Sequence, residues 1–513
     1  MRAFTDDSVK LNRDLQRYIE RALEEGRPIK IGWGQAGDEK PKNGEFGVIT
    51  HLPEGVRVQC LGDLGEFSGS ANLGGTFTLL GNASPMFAAY HSSGSSIVEK
   101  SVSDKVGFKM NGGEITIQGS VGDDAGAGMT GGLILVKGHA GSGLGSGMTG
   151  GDILVMGSAG SNPGIGMNGG KIVVSGSCPP PGTGVSMRTI TKSEIAEFSD
   201  NLDALGVALT EDALVLEASN GGIRVSESTK TYITEGFEKI ALVPNEDALQ
   251  EHSPLDHFTL VIGSNSESEG VLLHIPWIVD CESASEWGSG ILGKSPALVR
   301  SRPREIDMLL VDENNLHNAV AEVRNSAGMV LDTASFPGLN DAEIEGILVS
   351  LVSRVTSESL VFLKGNIGRV ERLFRLVTEL EAGGAIVDCS STVGTRMAAA
   401  LPRIGLATKA MKMREAGKFV FLGVDQQPKA KDLLVALASG CNGIVAPSSE
   451  KKPEEYMDNL GNQLRGWMRE IGIDRIERIG RRNLCATDYD TAAISGLRLM
   501  GYDRPLPMWL ELG

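Results

Sequence analysis

Residues 126–138 read Gly126-Ala127-Gly128-Met129-Thr130-Gly131-Gly132-Leu133-Ile134-Leu135-Val136-Lys137-Gly138. The central Met-x-Gly-Gly recurs at Met110, Met129, Met148 and Met167, each 19 residues after the one before. After each Gly-Gly comes a short run with Ile at its second position (Ile115, Ile134, Ile153, Ile172) and Ile or Val at its fourth (Ile117, Val136, Val155, Val174). That alternation is the period of a strand with one buried face. A fixed period built from strand, turn and glycine marks a solenoid, because no single repeat can bury its own apolar face and stacked coils must supply the core.

The register extends backwards through Ser93-Gly94 and Gly74-Gly75, so about six coils are legible. The Gly-Gly pairs, with Gly126 and Gly128, Gly145 and Gly147, and Gly164 and Gly166, mark tight corners that need a left-handed backbone or close approach. The repeated methionines read as corner-filling side chains rather than ligands, since a thioether adapts to irregular gaps. Upstream, Val9, Leu11, Leu15, Tyr18, Ile19 and Leu23 predict an amphipathic helix over 8–25 that ends at Gly26 and could cap the first coil. Strands are expected over 29–33, 46–50 and 56–60. Pro179, Pro180 and Pro181 cannot continue a ladder and close the repeat region near 185.

The Gly-x-Gly-Met-x-Gly-Gly phrases resemble the glycine-rich solenoid domain of the glutamate synthase large subunit. They are also similar to its stand-alone relatives in N-methylglutamate synthase and in formylmethanofuran dehydrogenase, where the solenoid is a separate chain. The resemblance covers residues 8 to about 185 and implies a right-handed parallel β-helix that holds catalytic domains or subunits together.

The 513 residues are enough for roughly two to four domains. A net charge of −17 and a pI near 5.0 disfavour nucleic acid and anionic membranes as partners. No apolar leader follows Met1 and no run is long enough to cross a bilayer, so the expected location is the cytoplasm. The cysteines at 60, 178, 281, 389, 441 and 485 show no C-x-x-C spacing, and no metal site is expected. His274, on an apolar run, reads as a core residue.

Residues 186–300 form a connecting segment of mixed character in which a barrel could begin: a helix is expected over 191–205 and short strands over 240–243, 259–262 and 270–275. Beyond 301 the pattern is regular. Apolar strands at 308–311, 329–332, 360–364, 385–388, 419–424 and 443–446 alternate with helical stretches, the last over 454–471. Such alternation argues a parallel α/β architecture, a barrel or an open sheet. The fold class is therefore mixed: a β-helix with 19-residue coils over 1–185, then an α/β domain of TIM-barrel type over 301–513.

In a barrel of this type the chemistry lies where strands end. The strand-end residues are Asp332, Lys364, Asp388 and the turn from Asp425 to Lys429. Lys364 is also open to reading as an ion-paired rim lysine, and Asp425 and Lys429 as a solvated turn. The order of these segments is similar to the later half of the flavin-binding barrel of glutamate synthase. In that resemblance Lys364 matches a strand-end lysine near the flavin, and 388–395, including Gly394, matches the substrate loop. Residues 423–432 match the loop holding the FMN phosphate. Asp332, Lys364 and Asp388 are thus candidate catalytic residues; Gly394, Asp425, Gln426, Gln427 and Lys429 are candidate cofactor-binding residues.

The sequence departs from that family in five respects, one being that the family's glycine-threonine-glycine loop is present only as Ser391-Thr392-Val393-Gly394-Thr395. Gln426 and Gln427 stand where the family has two glycines, Cys441 stands without the cysteines of an iron–sulfur cluster, no cysteine follows Met1 for glutamine hydrolysis, and the domain order is reversed. No iron–sulfur cluster is expected. Two main functions remain open, beside a third in which the barrel is repurposed for a different phosphorylated ligand. One is a glutamate-synthase-like oxidoreductase or amino-group-transfer subunit that uses FMN to reduce an imino acid; the other is a non-catalytic scaffold, like the solenoid chain of formylmethanofuran dehydrogenase. Either implies partner subunits or self-association.

Overall fold

The computed structural model describes residues 3–34, 44–203, 206–219, 237–243, 277–283, 296–356, 359–389, 397–447, 453–473 and 478–502. The expected strands at 259–262 and 270–275, together with His274 and Gly394, lie outside the described residues. Two compact units are present: Met1–Glu227 with Gly338–Arg354, and Ser228–Pro337 with Val355–Gly513.

The first unit opens on helix α1 (Ala3–Glu25) and strand β1 (Ile29–Ile31). Strands β2 (Arg57–Leu61), β3 (Leu73–Leu80), β4 (Ser93–Val98), β5 (Glu114–Ile117), β6 (Leu133–Val136), β7 (Thr149–Val155) and β8 (Gly169–Val174) follow. These eight pair side by side, in parallel and in chain order. Register is kept at one repeat: Ile115 pairs with Ile134, Ile134 with Ile153, and Ile153 with Ile172. Identical side chains therefore stack into columns, and the second- and fourth-position columns are fully buried. The repeat also bonds to its successor away from these strands. Val102 bridges Val121, which bridges Ala140, and the N–H groups of Gly126, Gly145 and Gly164 donate to the carbonyls of Val106, Ala125 and Leu144.

The Met and Gly of the motif meet across neighbouring repeats. A Cβ on Gly132 would lie 2.5 Å from the Met110 methyl, and one on Gly151 would lie 2.6 Å from that of Met129. Gly132 also holds φ +90, a region that side chains avoid. The second glycine is thus the floor on which the preceding methionine rests. His91 stands one repeat before Met110 and is likewise buried, against Gly113.

On the exposed edge each polar side chain accepts from the N–H one repeat on. Ser120 donates its N–H to Ser101 Oγ at 3.1 Å, His139 to Ser120 Oγ at 3.0 Å, and Ser158 to His139 Nδ1 at 3.0 Å.

The sheet runs past residue 185. Strand β9 (Val185–Thr189) leads into helix α2 (Lys192–Asp203) and strand β10 (Leu214–Ala218), and β10 lies antiparallel between β8 and β9. Phe198 and Leu202 of α2 pack on Leu135, Leu154 and Val173, the outward third position of β6, β7 and β8. The strand expected at 46–50 is not formed. Gly47, Ile49 and His51 all take left-handed φ, which breaks the extended chain, and Asn12 holds this segment from α1 through the Gly47 carbonyl and the Ile49 N–H.

The second unit contains a closed barrel of eight parallel strands: β12 (Trp277–Ser283), β13 (Ala297–Ser301), β14 (Met308–Val311), β15 (Gly328–Asp332), β16 (Leu360–Asn366), β17 (Gly384–Asp388), β18 (Phe419–Gly423) and β19 (Gly443–Pro447). Pairing of β12 with β19 closes it. Preceding the barrel, β11 (Ile240–Leu242) pairs with β20 (Leu484–Ala486). Helices α3 (Leu316–Glu322), α5 (Val370–Glu379), α6 (Met397–Ala410), α7 (Ala430–Ala438), α8 (Pro453–Ile471) and α9 (Tyr489–Ser495) belong to the same unit. The six strands expected beyond 301 are present, and two more come from 277–301.

The link 302–307 between β13 and β14 carries no helix. It is tied instead by buried Asp307, whose carboxylate accepts from the N–H groups of Ala297 and Arg304 and from the Arg304 guanidinium. Helix α4 (Asp341–Val352) comes between β15 and β16 in sequence but falls in the first unit. There, Glu343 pairs with Lys105 at 2.9 Å, and Val349 packs with Val9 and Phe46. Among the described residues no helix is long and apolar enough to cross a membrane.

Candidate functional site

The inside of the barrel is filled by Leu298, Met308, Leu310, Val330, Phe362, Ile386, Phe421 and Val445. Side chains alternate faces along a strand, so two residues further on the same face returns at the C-terminal mouth. Those positions are Arg300, Asp312, Asp332, Lys364, Asp388, Gly423 and Pro447. Asp280 joins them, in register with Leu298 and Pro447. Around the mouth the layer reads Asp280, Arg300, Asp312, Asp332, Lys364, Asp388, Gly423, Pro447: six charged groups over an apolar floor.

Three of them were expected from sequence, and the structure brings them together. Lys364 Nζ lies 3.0 Å from Asp332 Oδ2 and 3.7 Å from Asp388 Oδ2. The lysine side chain is 16% exposed and the two carboxylates 13% and 19%. Burial pulls the ammonium pKa down, but Asp332 and Asp388 outweigh it, and the net direction is upward from 10.5. Lys364 is therefore a cation held at the mouth. The strand ends are also fixed by backbone contacts: the Asp332 carboxylate accepts the Ala334 N–H, and Thr333 Oγ1 donates to the Lys364 carbonyl at 2.8 Å.

Sequence reading missed Asp280, Arg300 and Asp312. Arg300 Nη1 lies 2.7 Å from Asp280 Oδ1, while its Nε is 3.8 Å from Glu282 Oε1. The available signal was a charged residue two positions beyond Leu298 and Leu310, on the same strand face.

The candidate cofactor residues other than Gly394 lie on the turn after β18. Asp425, Gln426 and Lys429 are exposed there, and Gln427 is half-buried. The expected FMN phosphate site falls on this turn. A phosphate cradle needs free N–H groups at a helix start or a left-handed nest. Here the Lys429 N–H, at the start of α7, donates to Asp432 Oδ2 at 2.8 Å, and no residue from 424 to 429 has a left-handed φ. The carboxylates of Asp425 and Asp432 also oppose an anion. At this turn the Lys429 N–H is therefore committed to Asp432 rather than to an anion. Among the described residues no group of His, Cys, Asp and Glu is arranged to hold a metal ion.

No family model and no curated relative matches this chain. Among solved structures it is similar to a doubly substituted flavocytochrome b2 with sulfite bound, at 15% identity over 52% of this chain and 80% of that one, with a TM-score of 0.35. A second flavocytochrome b2, carrying one arginine-to-lysine substitution, aligns at 14% identity over 50% and 77%, with a TM-score of 0.33. At TM-scores this low neither similarity says what this chain binds or does.

Proposed function

We propose that the chain is a glutamate-synthase-like subunit of an oxidoreductase or amino-group-transfer assembly, whose barrel mouth holds a small amino or imino acid. The observation that carries this reading is Lys364 bridging Asp332 and Asp388 at the C-terminal end of the barrel strands. A charged layer over an apolar floor suits a small zwitterion: carboxylates for the amine or iminium end, cations for the carboxylate end. Lys364, Asp332 and Asp388 are the residues placed to orient the ligand and to hold a proton beside it. FMN is the hydride carrier that the sequence resemblance implies.

The repeat region fits the β-helix of that family. In-register pairing at a 19-residue offset and ties at three places per repeat support stacked coils, which would serve to join this chain to partner subunits or to further copies of itself. A second reading is a scaffold with a degenerate barrel, favoured by the closure of the α7 turn by Asp432.

Titration calorimetry of the purified chain with L-glutamate, 2-oxoglutarate and FMN in turn tests the choice. Saturable binding of either acid supports the small-molecule reading, and added FMN uptake with a flavin spectrum supports redox chemistry in this barrel. No binding of either acid overturns it and leaves the scaffold.

A further inference from the structure

The two cations of the mouth are not equivalent. Lys364 has a carboxylate on each side, so its charge is already matched within the protein. Arg300 is held at one corner only: Nη1 meets Asp280 at 2.7 Å, Nε is 3.8 Å from Glu282, and Nη2 has no partner among the described residues. The Glu282 side chain is 73% exposed, so that contact is readily given up. The open edge, Nε with Nη2, is the two-donor fork that matches a carboxylate. Arg300 points into the mouth, because it follows Leu298 of the barrel interior by two residues.

We infer that Arg300 is the residue that takes the carboxylate of the barrel's ligand, in a bidentate contact through Nε and Nη2. Asp280 is its positioning residue, fixing the guanidinium so that the fork faces the ligand. This rests on the mouth being the ligand site. It assigns the acid end of the ligand to β13 and leaves the amine end to Asp332 and Asp388, on β15 and β17. Arginine rather than lysine is required, since a lysine offers a point charge without the planar pair of donors.

Two minimal probes separate the ends: acetate carries only the carboxylate and methylamine only the cation. Line broadening of 13C-labelled acetate and methylamine is measured with the full chain and with Arg300→Gln and Arg300→Lys, each variant checked for folding by circular dichroism. The expected result is acetate binding to the wild type, weakened about tenfold in Arg300→Gln and several-fold in Arg300→Lys, with methylamine unchanged. If Arg300→Gln does not fold, Arg300→Lys carries the comparison. Acetate binding that is absent from the wild type, or equal in the folded variants, overturns the inference. Methylamine binding alone would leave the mouth as a ligand site and remove Arg300 from it; binding of neither probe would remove both.

Discussion

Lys364 Nζ lies 3.0 Å from the Asp332 carboxylate, across two neighbouring strands paired in register at those two residues. Both side chains rise from the barrel floor formed by Phe362 and Val330. An ion pair so placed is costly to desolvate and stabilises only while both partners are present.

Lys364→Met therefore leaves Asp332 and Asp388 together without their cation. Urea denaturation at pH 7 should show a loss of about 1–3 kcal/mol. The alkaline limb should differ too. A lysine whose folded pKa lies above its unfolded 10.5 contributes stability that is fully present below that value and lost as pH rises through the folded one. The variant lacks that loss, so the two stability curves should converge above pH 10.5.

Burial of His91 pulls its imidazole from 6.5 to about 4, although the contact with the Gly112 carbonyl opposes the shift. The unfolded chain then binds the extra proton first. Stability from this group is complete above pH 6.5, falls as pH drops towards 4 and levels below it, by about 3 kcal/mol in all. His91→Met, which restores the residue type found at 110, 129, 148 and 167, should remove that component. Comparing urea midpoints of variant and wild type at pH 7 and 4.5 checks it.

Gly132→Ala places a methyl 2.5 Å from the Met110 methyl and 2.8 Å from the Gly113 carbonyl, at φ +90. Strain and overpacking should together cost about 2–4 kcal/mol. Gly147→Ala, where the backbone is also left-handed but nothing lies within 4 Å, should cost less. Thermal melts of the pair separate the steric part from the backbone part.

Asp307→Ala removes the acceptor that gathers Ala297 and Arg304 at the short link between β13 and β14. A fully buried carboxylate with charged and backbone donors should be worth about 3 kcal/mol in chemical denaturation.

The repeat was legible because its physics is local: a 19-residue period, glycines at left-handed corners and alternating Ile and Val leave few alternatives. Asp332, Lys364 and Asp388 were legible because each ends an apolar run where barrel chemistry is found. Arg300 was not, since β13 and β14 are joined by six residues without a helix, and the alternation that reveals a barrel is missing there. At the turn after β18 a matching position says nothing about hydrogen bonds, and that Asp432 takes the Lys429 N–H could be seen only in the structure. The outward column at Leu135, Leu154 and Val173 marked the seat of α2, but Thr78, Ile97 and Thr116 at the same position in earlier repeats break the apolar run and blur the signal.

The most direct test of the barrel mouth as the working site is calorimetric titration of L-glutamate and 2-oxoglutarate into the wild type and into folded Lys364→Met, at one pH and salt concentration. The account predicts saturable binding of at least one acid to the wild type and a loss of about tenfold or more in the variant. Equal binding by both proteins, or none by the wild type, would contradict it.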